Sequence, residues 1–175
     1  MSLRSTINNR EQTPLSYNEL KVALDPHLTS NFVMLDDLKN VSEEKLFAGK
    51  DCCLILATMH TADGSATKIN HWVSLHKRGD RLVFFDSLGH TIPRLFARLH
   101  TDNRAFLDWA NGRKIEQNSA RVQSFESHIN TCGCHQVVRL VHSNMSNQAY
   151  VKWLKHGHLK PDESVATMCY LALLK

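Results

Sequence analysis

The stretch that decides the fold is His71-Trp72-Val73-Ser74-Leu75-His76-Lys77-Arg78-Gly79-Asp80-Arg81-Leu82-Val83-Phe84-Phe85-Asp86. His71–Leu75 and Leu82–Phe85 are strand-like runs of β-branched, aromatic and aliphatic residues. Lys77–Asp80 between them has turn chemistry, so the stretch predicts a β-hairpin. With Arg78-Gly79 as a two-residue loop, His71 falls directly opposite Asp86. A three-residue loop moves the register by one and sets Ser87 there instead. Side chains directly opposite on one face lie about 4.5–5.5 Å apart at Cβ. At that separation a carboxylate accepts a hydrogen bond from an imidazole, fixing its tautomer and favouring its protonated form.

Upstream of the hairpin, Cys52–Thr58 is a continuous apolar run of strand length and predicts a buried strand. Cys52 and Cys53 are neighbours in it and are expected on opposite faces. Thr61–Ile69, with Gly64, reads as a polar loop. Ser16 and Glu19 have capping-box spacing at the head of a helix over Ser16–Leu24, which Asp25-Pro26 stops. Ser42–Gly49 is a second short helix, and residues 1–14 read as a loose leader.

Downstream, Thr91-Ile92-Pro93 starts a helix with proline in its first turn. Asp102–Asn111 is another helix, ended by Gly112, and Lys114–Gln123 has room for a strand. Cys134, Val137, Val138 and Val141 recur at i, i+3, i+4 and i+7, which predicts a helix with one buried face starting at about Cys132. Ala149–Lys155 forms one more helix, and Val165–Leu174 fits either helix or strand. The expected fold is α+β, one domain over residues 1–175. A small mixed or antiparallel central sheet carries the His–Asp hairpin and packs against a central helix that starts at Cys132.

The helix start is where chemistry is expected. A thiol at a helix N-terminus sits among unpaired backbone N–H groups and the positive end of the macrodipole, which favour its anion. Gly133 beside it lets a substrate backbone come close to the sulfur. His71, Asp86 and Cys132 are thus a base, its orienter and an activated nucleophile. A zinc site from Cys132, Cys134 and His135 is the weaker reading, because C-x-C-H lacks knuckle spacing and has no partner pair. No metal is expected.

Composition narrows the class. The chain has 175 residues, 42% hydrophobic and 22% charged, with a net charge of +4. That is an ordinary globular composition, which excludes a mainly disordered, collagen-like or rod-like chain. No apolar run approaches the ~18 residues of a membrane span, and the N-terminus lacks the apolar core of a secretory signal. Five cysteines, two adjacent, argue for free thiols in a reducing compartment rather than a disulfide framework. Most of the 11 histidines stand singly in polar stretches. Lys152, Lys155, His156, His158 and Lys160 cluster, and read first as a solvated face and second as a weak DNA contact.

The order His, Asp, Cys resembles cysteine proteases of the adenovirus maturation protease and SUMO-protease type. His71-Trp72 resembles the family's His-Trp at a strand start. Phe85-Asp86-Ser87-Leu88-Gly89 resembles the segment bearing its acidic member, and Thr131-Cys132-Gly133 the Cys-Gly that opens its central helix. The resemblance spans about residues 30–145. The short chain looks more like the proteases of adenoviruses, virophages and polinton-like elements than the larger SUMO proteases. The resemblance implies an endopeptidase that processes capsid or other structural precursors during virion maturation. It would work in the virion and host-cell interior, in cytoplasm or nucleus, not secreted and not membrane-bound. No cofactor is required for the chemistry, although related enzymes use DNA or a peptide activator.

The family's oxyanion-hole glutamine stands six or seven residues before the cysteine. Here Gln123 stands nine before Cys132 and takes that role at the cost of a longer loop, with Asn130 as a substitute donor and the Cys132 N–H contributing in either case. Trp72 reads as a wall that shields the imidazole from water, or else as a core or rim aromatic. Other readings are a deubiquitinase or SUMO protease with a groove for a Gly-Gly tail, an acyltransferase built on a similar triad, and a small nucleic-acid-binding module. The last leaves the hairpin and the helix-start cysteine unexplained.

Overall fold

In a computed structural model of the chain, residues 3–25, 28–38, 40–61, 63, 65–99 and 104–174 are described. Pro26, Gly64 and Asp102, three of the expected punctuation points, lie outside them.

The molecule is mixed α+β. Among the described residues an open five-stranded sheet runs in the order β1-β2-β3-β4-β5. Its strands are β1 (Ser30–Met34), β2 (Cys52–His60), β3 (Ala66–Arg78), β4 (Arg81–Phe85) and β5 (Ile115–Gln117). The two inner pairings, β2 with β3 and β3 with β4, are antiparallel, and both edge strands pair in parallel. Side chains alternate across this sheet into two cores. Cys52, Leu54 and Phe85 point into one, against helices α2 (Tyr17–Leu24), α6 (Cys132–Val141), α7 (Asn147–Lys155) and α8 (Pro161–Leu173). Cys53, Ile55, Val73, Leu75 and Phe84 point into the other, under α3 (Glu43–Phe47), α4 (Ile92–Leu99) and α5 (Arg104–Asn111). The adjacent cysteines therefore serve different cores.

Local chemistry sets the element ends. At α2 the Ser16 side chain accepts the Glu19 N–H, and the Glu19 carboxylate accepts the Ser16 N–H at 2.9 Å. Ser42 caps α3, which closes with Ala48 and Gly49 in left-handed conformations, and Ser146 caps α7. Pro161 opens α8 with Asp162 and Glu163 in its first turn, where the macrodipole favours acids.

The structure corrects several expectations. Residues 3–12 are not a loose leader but a helix, α1 (Leu3–Gln12). It lacks an apolar stripe and is held by polar ties: Arg10 pairs with Glu19 at 3.0 Å, and Asn130 donates its N–H to the Glu11 carbonyl at 2.7 Å. The polar loop before the hairpin is shorter than expected, because β3 already pairs with β2 from Ala66. Strand β1 adds an unexpected edge. Helix α6 is buried from Cys132 through Leu140 on every side, and Val141, expected in its buried face, is exposed. Val165–Leu174 falls largely within α8.

Candidate active site

The β3–β4 ladder pairs Arg78 with Arg81 and Ser74 with Phe85, so the two-residue loop is Gly79-Asp80. Gly79 has φ +61, at the first loop position, where a hairpin turn of the II′ type needs glycine. The register is therefore shifted by two from the Arg78-Gly79 expectation. Continued past Phe85, it sets Asp86 opposite Val73, with His71 one pleat further along. A shift of two preserves the face, and His71 Nε2 meets Asp86 Oδ1 at 2.8 Å.

Asp86 is fully buried. Besides His71 it accepts the Leu88 N–H at 2.8 Å on Oδ1 and faces His90 Nδ1 at 2.9 Å on Oδ2. Its backbone is clamped by one side chain. Its N–H donates to Asn118 Oδ1 at 2.9 Å, and its carbonyl accepts from Asn118 Nδ2 at 2.6 Å. Gly89, at φ +76, closes this turn where a Cβ would come within 2.7 Å of the Arg121 backbone nitrogen. The acid is thus held in a turn packed tightly against residues 118–123.

Cys132 is the first residue of α6 and is 8% exposed. Burial by itself pushes its thiol up. The His71 hydrogen bond and charge, helped by the Trp72 and Gly133 backbone N–H groups, outweigh burial and hold the thiol below its ordinary value. Burial likewise pushes His71 down, but the Asp86 carboxylate, with Cys132 behind it, raises the imidazole to about 10. Asp86, against its own burial, is held below the usual carboxylate range by His71 and His90. Since Asp86 occupies Nε2, the ring nitrogen left for the sulfur is Nδ1. Burial drives another thiol the opposite way: Cys52 is pushed up to about 12. None of the five thiols is in a disulfide.

The chain matches no protein-family model and no curated protein.

Cys132 opens onto a groove of about 620 Å³ whose walls include Leu15, Tyr17, Phe32, Met34 and Trp72. Phe32 packs edge-on to Trp72, with ring centroids 6.1 Å apart, and tilted on Tyr17 at 4.5 Å. Trp72 thus faces the groove with its ring while its backbone serves the site. Gly133 does not line the groove. It is buried, and a Cβ there would meet Leu15 Cβ at 3.0 Å. The space it leaves is filled by the chain's own Leu15 and Leu20 rather than by a substrate backbone.

Gln123 is 7% exposed and sits beside the acid turn. Its side-chain carbonyl accepts the Ser87 hydroxyl at 2.7 Å, and its N–H donates to the Ser87 carbonyl at 3.0 Å. With its carbonyl on Ser87, the amide has its NH₂ as its remaining donor group. Asn130 borders the groove, but its amide nitrogen donates to the Gln12 carbonyl at 2.8 Å.

Sequence reasoning missed four residues around the site: His90, Asn118, Gln136 and Asp162. Gln136 stands one turn after Cys132, and its amide donates to the Trp72 carbonyl at 3.0 Å, tying α6 to β3. A polar residue in the middle of an apolar helical pattern was the one available signal. Among the described residues no group of three or more His, Cys, Asp and Glu side chains is placed to hold a metal. His135, of the alternative zinc set, is fully buried against Asp162. Among the described residues no helix is long and apolar enough to cross a membrane. Lys152, Lys155, His156, His158 and Lys160 are all exposed around the end of α7.

Proposed function

We propose that the chain is a cysteine endopeptidase with His71, Asp86 and Cys132 as its triad. The observation that carries this reading is one imidazole lying between a fully buried carboxylate and a helix-start thiol at the mouth of an apolar groove.

His71 Nδ1 takes the Cys132 proton, giving a thiolate and an imidazolium held by Asp86. The thiolate attacks the scissile carbonyl carbon, and the carbonyl oxygen becomes an oxyanion that accepts the Cys132 N–H and the Gln123 amide. His71 returns the proton to the leaving amine as the C–N bond breaks. Water, deprotonated by His71, then hydrolyses the thioester and restores the thiol.

The groove supports a peptide bearing bulky apolar side chains over a bare Gly-Gly tail, because its aromatic and aliphatic walls leave about 620 Å³ to be filled. That favours an endopeptidase over an enzyme that releases ubiquitin-like modifiers. The resemblance of His71-Trp72, Phe85–Gly89 and Thr131–Gly133 to adenovirus-type maturation proteases makes viral structural precursors the proposed substrates. The virion and the host-cell interior are then the proposed place of action.

The test is iodoacetamide alkylation against pH, followed cysteine by cysteine by peptide mass, in wild type and His71→Ala. Cys132 is expected to react well below the ordinary thiol pKa of about 8.5, and His71→Ala to lose that. A Cys132 that titrates as an ordinary thiol in the wild type sinks the reading.

A further inference from the structure

Gln123 and Cys132 must present their donors to one oxyanion, yet residues 124–131 between them form neither helix nor strand. A flexible connection of that length leaves its two ends free to drift, at an entropic cost if they are to meet. One side chain bridges both ends. Asp162, in the first turn of α8 and 7% exposed, accepts the Ser124 N–H on Oδ2 at 2.8 Å. On Oδ1 it accepts the Thr131 hydroxyl and the His135 Nε2 hydrogen, the latter at 3.1 Å. Ser124 follows Gln123, and Thr131 precedes Cys132.

We infer that Asp162 is a positioning residue that staples the 124–131 loop closed, so that the Gln123 amide and the Cys132 N–H face the same oxyanion. The inference rests on the protease reading above.

A second observation supports it. Threonine at a helix N-cap ordinarily turns its hydroxyl onto an amide of the first turn. Thr131 occupies the N-cap of α6 but makes no such bond, because its hydroxyl goes to Asp162. The first-turn N–H groups are therefore not claimed by their own cap and stay available to the sulfur and the oxyanion. His135 completes the clasp. Burial lowers its basicity, so the neutral ring donates through Nε2. Helix α1 holds the far side of the loop through the Asn130 bonds to Glu11 and Gln12.

Two reactions of the same sulfur separate positioning from bulk structure. Iodoacetamide is displaced directly at carbon, iodide leaves, and no oxyanion forms. With p-nitrophenyl acetate the sulfur adds to the ester carbonyl, an oxyanion forms, p-nitrophenolate leaves and Cys132 is acetylated. Cys132→Ala supplies the background. For Asp162→Ala the expected result is acetylation slowed about tenfold or more, a share of the roughly 10²–10³ that one oxyanion donor supplies. Alkylation is expected to fall by at most a few-fold, because His71, the larger cause of the lowered thiol, stays in place although the freed Thr131 hydroxyl then competes with the sulfur for a first-turn N–H. Asp162→Asn, whose carbonyl still accepts the Ser124 N–H, is expected to recover most of the acetylation rate and guards against a variant that fails to fold.

Acetylation and alkylation falling by the same factor, or neither falling, overturns the staple while leaving the protease reading intact. A wild-type Cys132 that alkylates as an ordinary thiol overturns both.

Discussion

Asp86→Asn is the most informative single change, because it removes one charge and adds almost no volume. The carboxylate faces His71 Nε2 at 2.8 Å from a fully buried position. With charge centres about 4 Å apart and an effective dielectric of about 20, the attraction is about 4 kcal/mol. That is about a thousandfold in the population of the imidazolium. The same attraction is what overcomes the burial of His71 and lifts its pKa to about 10. The asparagine amide also reverses polarity. If its NH₂ faces Nε2, that nitrogen must be bare, the proton moves to Nδ1, and the ring cannot receive the Cys132 proton. In the variant the Cys132 titration should rise towards the ordinary value of about 8.5, at which only about 3% of thiols are ionised at pH 7, so alkylation at pH 7 should slow. Peptide hydrolysis should fall further, by about 10³–10⁴, because the tautomer is wrong as well. The Asn118 clamp on the residue 86 backbone is untouched by the change, so far-UV circular dichroism should match wild type. A folded Asp86→Asn protein with a wild-type alkylation profile would refute the assignment of Asp86 and the electrostatic reasoning behind it.

Three further outcomes follow from the packing and the charges. In Cys132→Ala, where release of the thiol proton no longer offsets it, the raised pKa of His71 makes stability largest below its unfolded value of 6.5 and lets it decline as pH rises through the folded pKa. Urea midpoints measured from pH 6 to 8, below the range where buried thiols such as Cys52 add a loss of their own, should show that slope, and His71→Ala in the same background should remove it. Gly89→Ala forces a Cβ to within 2.7 Å of the Arg121 nitrogen at φ +76, so the melting temperature should drop by several degrees, for a cost of about 1–3 kcal/mol; an unchanged melting temperature would show that the turn relaxes freely. Arg139→Met should cost about 3 kcal/mol in urea unfolding, because it strips hydrogen-bond donors from the His142 and Met145 carbonyls and from Asn147 Oδ1; a loss under about 1 kcal/mol would mean that water replaces those donors.

The hairpin shows what a pattern of residue types carries and what it leaves open. Its strands and turn are legible because β-branched and aromatic runs flank a glycine turn. The loop, however, is Gly79-Asp80 rather than Arg78-Gly79, and both choices contain the same glycine. What separates them is where the positive φ falls, which depends on how β3 and β4 pair along their length. The His71–Asp86 contact survives the two-residue error because side chains repeat with period two. A one-residue error would have turned the pair apart. Helix α1 was missed for a different reason. It has no apolar stripe of its own and is held by packing against α8 and by bonds to Glu19 and Asn130, none of which is visible within its own ten residues.

Helix α6 marks where local pattern stops carrying information. Cys134, Val137 and Val138 suggest one buried face, but the residues between them are buried too. A helix enclosed on every side must find partners for its polar side chains in other elements. Gln136 finds the Trp72 carbonyl, next to His71. His135 finds Asp162, which also holds Thr131, next to Cys132. Arg139 finds the carbonyls at His142 and Met145 and the side chain of Asn147, at the head of α7. Apart from the His142 carbonyl, three residues after Arg139, none of these partners is at helical spacing, so the rest are not visible as periodicity. Two of them abut the residues proposed for the chemistry. The burial of α6 from Cys132 through Leu140 is therefore what holds the Cys132 sulfur in place. A surface helix would leave that sulfur to the fluctuations of its own first turn, whereas the tie of Gln136 to β3 fixes it against the strand that carries His71.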